Sequence, residues 1–446
     1  MERINIMSYK IKLPTKETIN LCANHLLVIM AFFLPINSSF LSTIFFILSI
    51  LFILRGNYLF YFKEFIANKV ILSIIIYILL NILWIFISSD IEYSINYVRY
   101  LNFYLYPILY FSFLNKQFIY RIFSSFLLGV FFSEVLSYSI FFKLITPPIP
   151  FGRLQTTVLD PTPFFHHMEY GFLLTFASIL LLQRFLIENF NIKKFIYLIF
   201  FITITTNIFI NAGRTGYTLF ILSVFIFLVL HFKKRLLLIA VSAIFTISMI
   251  IFLAYTFSPN FKIRSNLTVQ SIENIIIKKE LNSSIGARVN MVIFSLALIK
   301  DRPFIGYGSG MAIIETRRLA ENQKNPILNL LNNIPRIDNQ YIESLLQFGI
   351  IGLIMFFNIL FSFARSQHSN QNIITIKYIL IILVLLYSLE GGIMGTGPLP
   401  KILLILIVLL IKPIRKIEYK ISLVNGSIFI KYLIASIILF TISKLT

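Results

Sequence analysis

Thirteen stretches of this chain are apolar over the length, or nearly the length, of a bilayer-crossing helix. They run 21–36, 38–54, 70–88, 96–114, 118–142, 167–187, 195–211, 215–231, 236–257, 340–363, 373–390, 398–411 and 423–441. A helix needs about 20 apolar residues to cross the hydrocarbon core. The sequence therefore predicts an all-α integral membrane protein with about 12–13 transmembrane helices. Composition agrees: 58% of the 446 residues are hydrophobic and 13% are charged, against about 25% charged in a soluble domain. The single cysteine, Cys22, excludes an intramolecular disulfide and a thiolate metal cluster. The first apolar run lacks a small-residue cleavage site and reads as a retained span.

The formal net charge of +21 would suggest nucleic acid in a soluble protein. Here Lys and Arg hold loops on the cytoplasmic side, so no nucleic-acid partner is expected. With the N-terminus inside, the inner loops carry Arg55, Lys63 and Lys69, then Lys116 and Arg121, then Arg184, Lys193 and Lys194, and so on to the C-terminus. The outer turn at 88–92 carries no Lys or Arg. The same alternation puts 258–339 outside. That interval exceeds about 60 residues, beyond which the charge rule no longer governs translocation. The chain divides into an N-terminal bundle (1–257), a large outer loop (258–339) and C-terminal helices (340–446).

Within the loop, Ser284 to Lys300 is expected to form an amphipathic helix, with Ile285, Val289, Val292, Leu296 and Ile299 on one face. Asp301-Arg302-Pro303 ends it, because the residue before a proline leaves the helical region. Gly306, Gly308 and Gly310 read as a flexible turn. A second outer segment, Thr146 to Met168, holds five prolines and is expected to be irregular. A third, Asn211-Ala212-Gly213-Arg214-Thr215-Gly216, is a tight break between two spans.

Each outer segment presents one arginine in a special setting: Arg153, Arg214 and Arg288. An interfacial arginine often only snorkels to lipid phosphates. Three on one side suit a diphosphate, whose oxygens a guanidinium binds bidentately. Asp338, two residues after Arg336, stands where a carboxylate could accept a proton from an acceptor hydroxyl. It stands equally where it could cap the helix beginning near Gln340. His166, His167 and Glu169 lack further ligands at metal spacing, and no Asp-x-Asp pair occurs outside, so no metal is expected. Glu134 and Glu390, in or beside spans, are functional candidates by their cost in lipid.

Ser284-Ile-Gly286-Ala-Arg288, Leu298 through Gly310 and Asn339-Gln-Tyr341-Ile-Glu-Ser-Leu-Leu-Gln-Phe-Gly349-Ile-Ile-Gly352 together resemble the O-antigen ligase and polymerase superfamily. Asn211 through Gly216 is similar to the same family. The resemblance covers about residues 205–355. It implies a GT-C-like glycosyltransferase of the bacterial inner membrane with its site facing the periplasm. The donor would be an undecaprenyl-diphosphate-linked glycan and the acceptor lipid A-core, or another lipid-linked repeat unit for a polymerase. Neither activity requires a cofactor or metal. The family's essential arginines carry over onto Arg214 and Arg288, with Arg153 a looser match. We expect Asp338, Arg288 and Arg214 to be catalytic, and Arg153, His166, His167, Arg336, Asn339 and Tyr341 to bind substrate. Ligases usually carry histidine directly before the position of Asn339, where this chain has Asp338. A flippase or transporter would instead want charge along a path through the membrane and often shows repeats. Here the charge lies outside and only Glu134 interrupts a span near its middle.

Overall fold

A computed structural model describes residues 15–149, 152–232, 236–278, 284–323, 331, 334, 336–368, 370–411 and 413. Among these residues there is no strand. Seven helices are long and apolar enough to cross a membrane: α2 (Ser38–Arg55), α4 (Lys69–Leu83, extended by a 3₁₀ turn to Ile87), α7 (Ile119–Phe141), α8 (His167–Ile187), α9 (Ile192–Ile210), α10 (Arg214–His231) and α15 (Gln340–Arg365). Around them lie α1 (Lys16–Phe33), α3 (Tyr58–Ala67), α11 (Leu236–Phe257) and the shorter apolar α16 (Gln371–Tyr387) and α17 (Pro398–Leu409). The protein is an all-α integral membrane protein.

The expected span 96–114 is not one helix. It is α5 (Ile91–Tyr100), a 3₁₀ turn and α6 (Leu105–Phe113). α5 carries Glu92 and Arg99 and has only one buried residue, Ser94. The expected span 423–441 lies outside the described residues.

α8 is the axis of the bundle. It is apolar on all sides and packs against α7, α9, α10 and α16, as a helix without a polar face must. Its crossing with α10 depends on glycine: a Cβ on Gly171 would lie 2.7 Å from Gly216 Cα. Two cations expected in inner loops are buried instead. Arg55 donates to Asn20 Oδ1 and to the Ser112 carbonyl at 3.1 and 2.9 Å, with the Tyr61 and Phe113 rings 3.8 and 3.9 Å from its guanidinium. Lys377 Nζ donates to the carbonyls of Ala364 and Ser366 at the end of α15, where a cation complements the helix dipole.

The loop builds α12 (Pro259–Glu273), α13 (Ser284–Asp301) and α14 (Ala312–Asn322). α13 forms where expected but buries a different stripe: Ala287, Met291 and Phe294, packed with Ile313 and Ala320 of α14 and Leu346 of α15. Leu296, assigned to the buried face, is 50% exposed. The helix is apolar nearly all round, so its periodicity does not select a face; its partners do.

The expected flexible turn at Gly306, Gly308 and Gly310 is a fixed strap. All three glycines have positive φ. Tyr307 and Gly308 donate their backbone N–H groups to the carbonyls of Leu346 and Gln347 at 2.8 and 2.9 Å, and Ser309 Oγ donates to the Asn81 carbonyl at 2.7 Å. α15 breaks at Gly349 to receive the strap, and Ile350 N donates to the Pro303 carbonyl. At Gly310 a Cβ would lie 2.6 Å from Tyr97 Cγ. Gly56 also has positive φ (70°) but no atom within 4 Å of such a Cβ. Alanine at Gly56 should cost about 1–3 kcal/mol for its positive-φ, extended backbone. Gly310→Ala should cost at least about 1 kcal/mol more through overpacking. Thermal unfolding in detergent should rank the two accordingly; equal shifts would refute the steric account of the strap.

Candidate functional site

The site lies where the N-termini of α8, α10 and α15 meet the first turns of α13. Gly213, which precedes α10, packs on the His167 carbonyl, where a Cβ would be 3.0 Å from the oxygen. With the Gly171–Gly216 crossing, this brings the start of α10 against the start of α8. Arg214, the first residue of α10, donates to Thr268 Oγ1 of α12 at 2.9 Å. Arg288 reaches across from α13, with Met168 Sδ of α8 3.9 Å from its Nη2, and pairs its Nε with Asp338 Oδ2 at 3.1 Å. Arg288 and Arg264 are the leading charged neighbours of Arg214, ahead of Glu390. Thr215 ties Glu390 in place with a 2.5 Å hydrogen bond to Oε2. Three guanidiniums thus share one locality with two carboxylates, at the positive ends of helix dipoles that favour an anion.

Asn339, not Asp338, caps α15: its Oδ1 accepts the Ile342 N–H at 3.1 Å. The capping role that sequence allowed for Asp338 is therefore occupied, and its carboxylate faces Arg288 instead. Tyr341 does not join the cluster. Its hydroxyl donates to the Leu385 carbonyl at 2.8 Å and its ring stacks with Phe357.

Arg153 is held within its own loop. Its Nη1 pairs with Asp160 Oδ2 at 2.8 Å and donates to Thr162 Oγ1 at 3.1 Å, and its Nη2 donates to Gln155. His167 Nδ1 lies 3.3 Å from the same Asp160 oxygen, and the His166 and His167 rings are 3.8 Å apart. Burial alone would raise the Asp160 carboxyl, but the hydrogen bonds and charges of His167 and Arg153 outweigh it and hold the pKa at about 2. Burial, and then neighbouring His167 and Arg153, push His166 down to about 4. His166 is thus neutral at pH 7 and able to accept a hydrogen bond.

Arg336 forms the second half of the site. Its Nη1 donates to the Thr396 carbonyl at 3.0 Å and its Nη2 lies 3.8 Å from Glu169 Oε1. Burial works against its charge, but Tyr387, Glu169, Glu343 and Asp338 raise its pKa. Sequence reasoning gave no role to Arg264, Thr268, Glu169 or Glu343. The spacing of Arg264 and Thr268, one helical turn apart, was the available signal for the first two. Nothing local marks Glu343, which needs the packing of α15 against residues 388–397 to be seen. Among the described residues no three His, Cys, Asp or Glu side chains converge as metal ligands would.

The sign of the Asp160 shift fixes a pH dependence. A carboxyl whose folded pKa is depressed stabilises the fold above its unfolded pKa, here 3.8, and that contribution is lost as pH falls through the folded value of about 2. Hydrogen-exchange protection of the segment 152–165 should drop between about pH 4 and 2, and Asp160→Asn should remove the protection at neutral pH. Protection that is independent of pH over that window would contradict the ion-pair anchor.

Residues 199–357 match the family described as O-Antigen ligase, which supports a place in the O-antigen ligase and polymerase superfamily. Over 202 residues the chain is 29% identical to an uncharacterized protein of Haemophilus influenzae. That alignment covers 44% of this chain and 49% of the relative, so the chain spans about half the relative's length.

Proposed function

We propose, from the premise that this chain carries an O-antigen ligase family domain at residues 199–357, that it transfers a glycan from undecaprenyl diphosphate to lipid A-core at the periplasmic face of the inner membrane. The observation that carries the reading is the grouping of Arg214, Arg264 and Arg288 in one locality near convergent helix N-termini, with Asp338 and Glu390 beside them. Like charges held this close in a partly dry site are costly unless an anion joins them. A diphosphate supplies that anion. Guanidiniums then take the place that Mg²⁺ holds in other phosphate-handling enzymes, stabilising charge as it develops on the leaving diphosphate.

The acceptor hydroxyl attacks the anomeric carbon of the donor sugar. The bond from that carbon to the diphosphate oxygen breaks, and the diphosphate departs on its polyprenyl chain. The hydroxyl proton passes to Asp338. In the resting protein Asp338 is engaged by Arg288. A diphosphate that draws Arg288 toward itself relieves that ion pair, raises the basicity of the carboxylate and so couples donor binding to acceptor activation. Arg336, pinned by Glu169 and Thr396, and neutral His166 line the approach.

The alternative is a polymerase that joins lipid-linked repeat units, and the carboxylate Asp338 in place of the ligase histidine favours it. Lipopolysaccharide from a deletion strain separates the two. Loss of all polymer capping, with glycan accumulating on the lipid carrier, marks a ligase. Core bearing a single repeat unit marks a polymerase, and an unchanged ladder would refute both. In reconstituted transfer assays Arg214→Ala and Arg288→Ala should each lower kcat by roughly 10²–10³. Arg214→Lys, which keeps the charge but loses the fork, should still lose about tenfold or more. Full activity of the lysine variant would overturn bidentate diphosphate binding.

A further inference from the structure

Beside the arginine cluster, across Arg336, lies a cavity of about 300 Å³ that the diphosphate reading leaves unused. Its walls are Tyr93, Asn96, Tyr97 and Tyr100 of α5, with Arg336 and Glu343. Three observations describe what it would accept. The α5 wall is aromatic, and Tyr93 and Tyr100 are 38% and 72% exposed, so their rings are free to be covered. Glu343 is 4% exposed: its Oε1 accepts from Gln347 at 3.2 Å, while Oε2 is buried with no hydrogen-bond partner among the described residues. The strap residue Gly310 lies against Tyr97 without space for a side chain, so the position of that ring is fixed.

Oε2 is closed off against Gly392, where a Cβ would lie 2.6 Å from it, so the carboxylate meets the cavity through Oε1, which can accept from a hydroxyl or amide N–H. The same carboxylate repels phosphate, so the cavity does not extend the diphosphate site. Tyrosine faces, an amide, a carboxylate and a guanidinium around a space at the small end of ligand-site volumes fit a sugar ring: its C–H face packs on tyrosine and its hydroxyls bond to Asn96 and Glu343. We infer that this cavity is a saccharide subsite for the acceptor, holding a sugar ring of the outer core beside Asp338. The assignment to acceptor follows from position. Asp338 pairs with Arg288 of the cluster and is also a charged neighbour of Arg336, which lines the cavity, so the carboxylate stands between the two. The inference rests on the proposed transfer reaction for the identity of the acceptor.

The test is binding, with no turnover. Full-length protein in nanodiscs is titrated with deacylated core oligosaccharide from the host strain and, separately, with a short-chain polyprenyl diphosphate. Asn96→Ala and Tyr100→Ala should each weaken oligosaccharide binding by about tenfold and leave diphosphate binding within about twofold of wild type. Tyr100→Phe should keep the stacking and most of the affinity. Tyr58→Ala, at an exposed tyrosine outside the cavity, should change neither. Glu343→Gln, which preserves volume, should weaken the oligosaccharide alone. Oligosaccharide binding that is absent in wild type or indifferent to these variants would overturn the subsite, and a loss confined to the diphosphate would reassign the cavity to the donor. Because transfer is not read, a chain that binds both probes but transfers nothing would sink the proposed function and leave the subsite standing.

Discussion

The backbone pairing between the glycine strap and the broken helix α15 sets the frame on which the site is built. Tyr307 and Gly308 bond to the carbonyls of Leu346 and Gln347, and Ile350 bonds to Pro303, so loop and helix are joined on both sides of the break at Gly349. Those bonds fix the register of α15, and through it Asn339, Gln340, Glu343 and Gln347. Gln340 Oε1 in turn accepts the N–H groups of Ile393 and Met394 at 2.7 Å, which seats residues 388–397 over the helix start. Asp338 and Arg336 enter from just before that helix, so their positions are consequences of the same register. An exposed loop with unsatisfied backbone would hold none of these side chains to the tolerance that chemistry requires.

On that frame the electrostatics are divided. One compartment gathers Arg214, Arg264 and Arg288 with Asp338 and Glu390; the other sets Arg336 among Glu169, Glu343 and Asp338. Asp338 touches both, through an ion pair with Arg288 and through the field at Arg336. A cation-rich compartment joined by one carboxylate to a carboxylate-rich, tyrosine-lined one suits a reaction with an anionic donor and an uncharged nucleophile. The loop 152–165, closed by Arg153, Asp160 and His167, forms a rigid wall beside both. Arg153 is therefore better placed to hold that wall than to touch substrate.

Much of this was legible in the sequence. The apolar runs marked the membrane class and most of the helices, and two of the three arginines in special settings, Arg214 and Arg288, do share one locality. What escaped had physical reasons. The face of α13 could not be chosen because its apolar residues surround the helix, so α14 and Leu346 made the choice. Glycines spaced by two read as a flexible turn because their hydrogen-bond partners lie about 40 residues away on α15. Asp338 and Asn339 are both good capping residues, and only the geometry shows that Asn339 takes the cap. Arg153 looked like Arg214, an arginine in an irregular outer segment, until Asp160 seven residues on proved to neutralise it. Glu343 sits within an apolar run and becomes conspicuous only when its second oxygen is found buried and unpaired.

The chemistry proposed here depends on the arginine cluster binding a diphosphate. The most direct measurement is the affinity of purified protein for a short-chain polyprenyl diphosphate against the corresponding monophosphate, across a salt series. The diphosphate should bind more tightly, its affinity should fall as salt rises, and Arg288→Gln should abolish the preference. Equal affinity for the two lipids, or a preference that survives Arg288→Gln, would contradict diphosphate binding by the cluster.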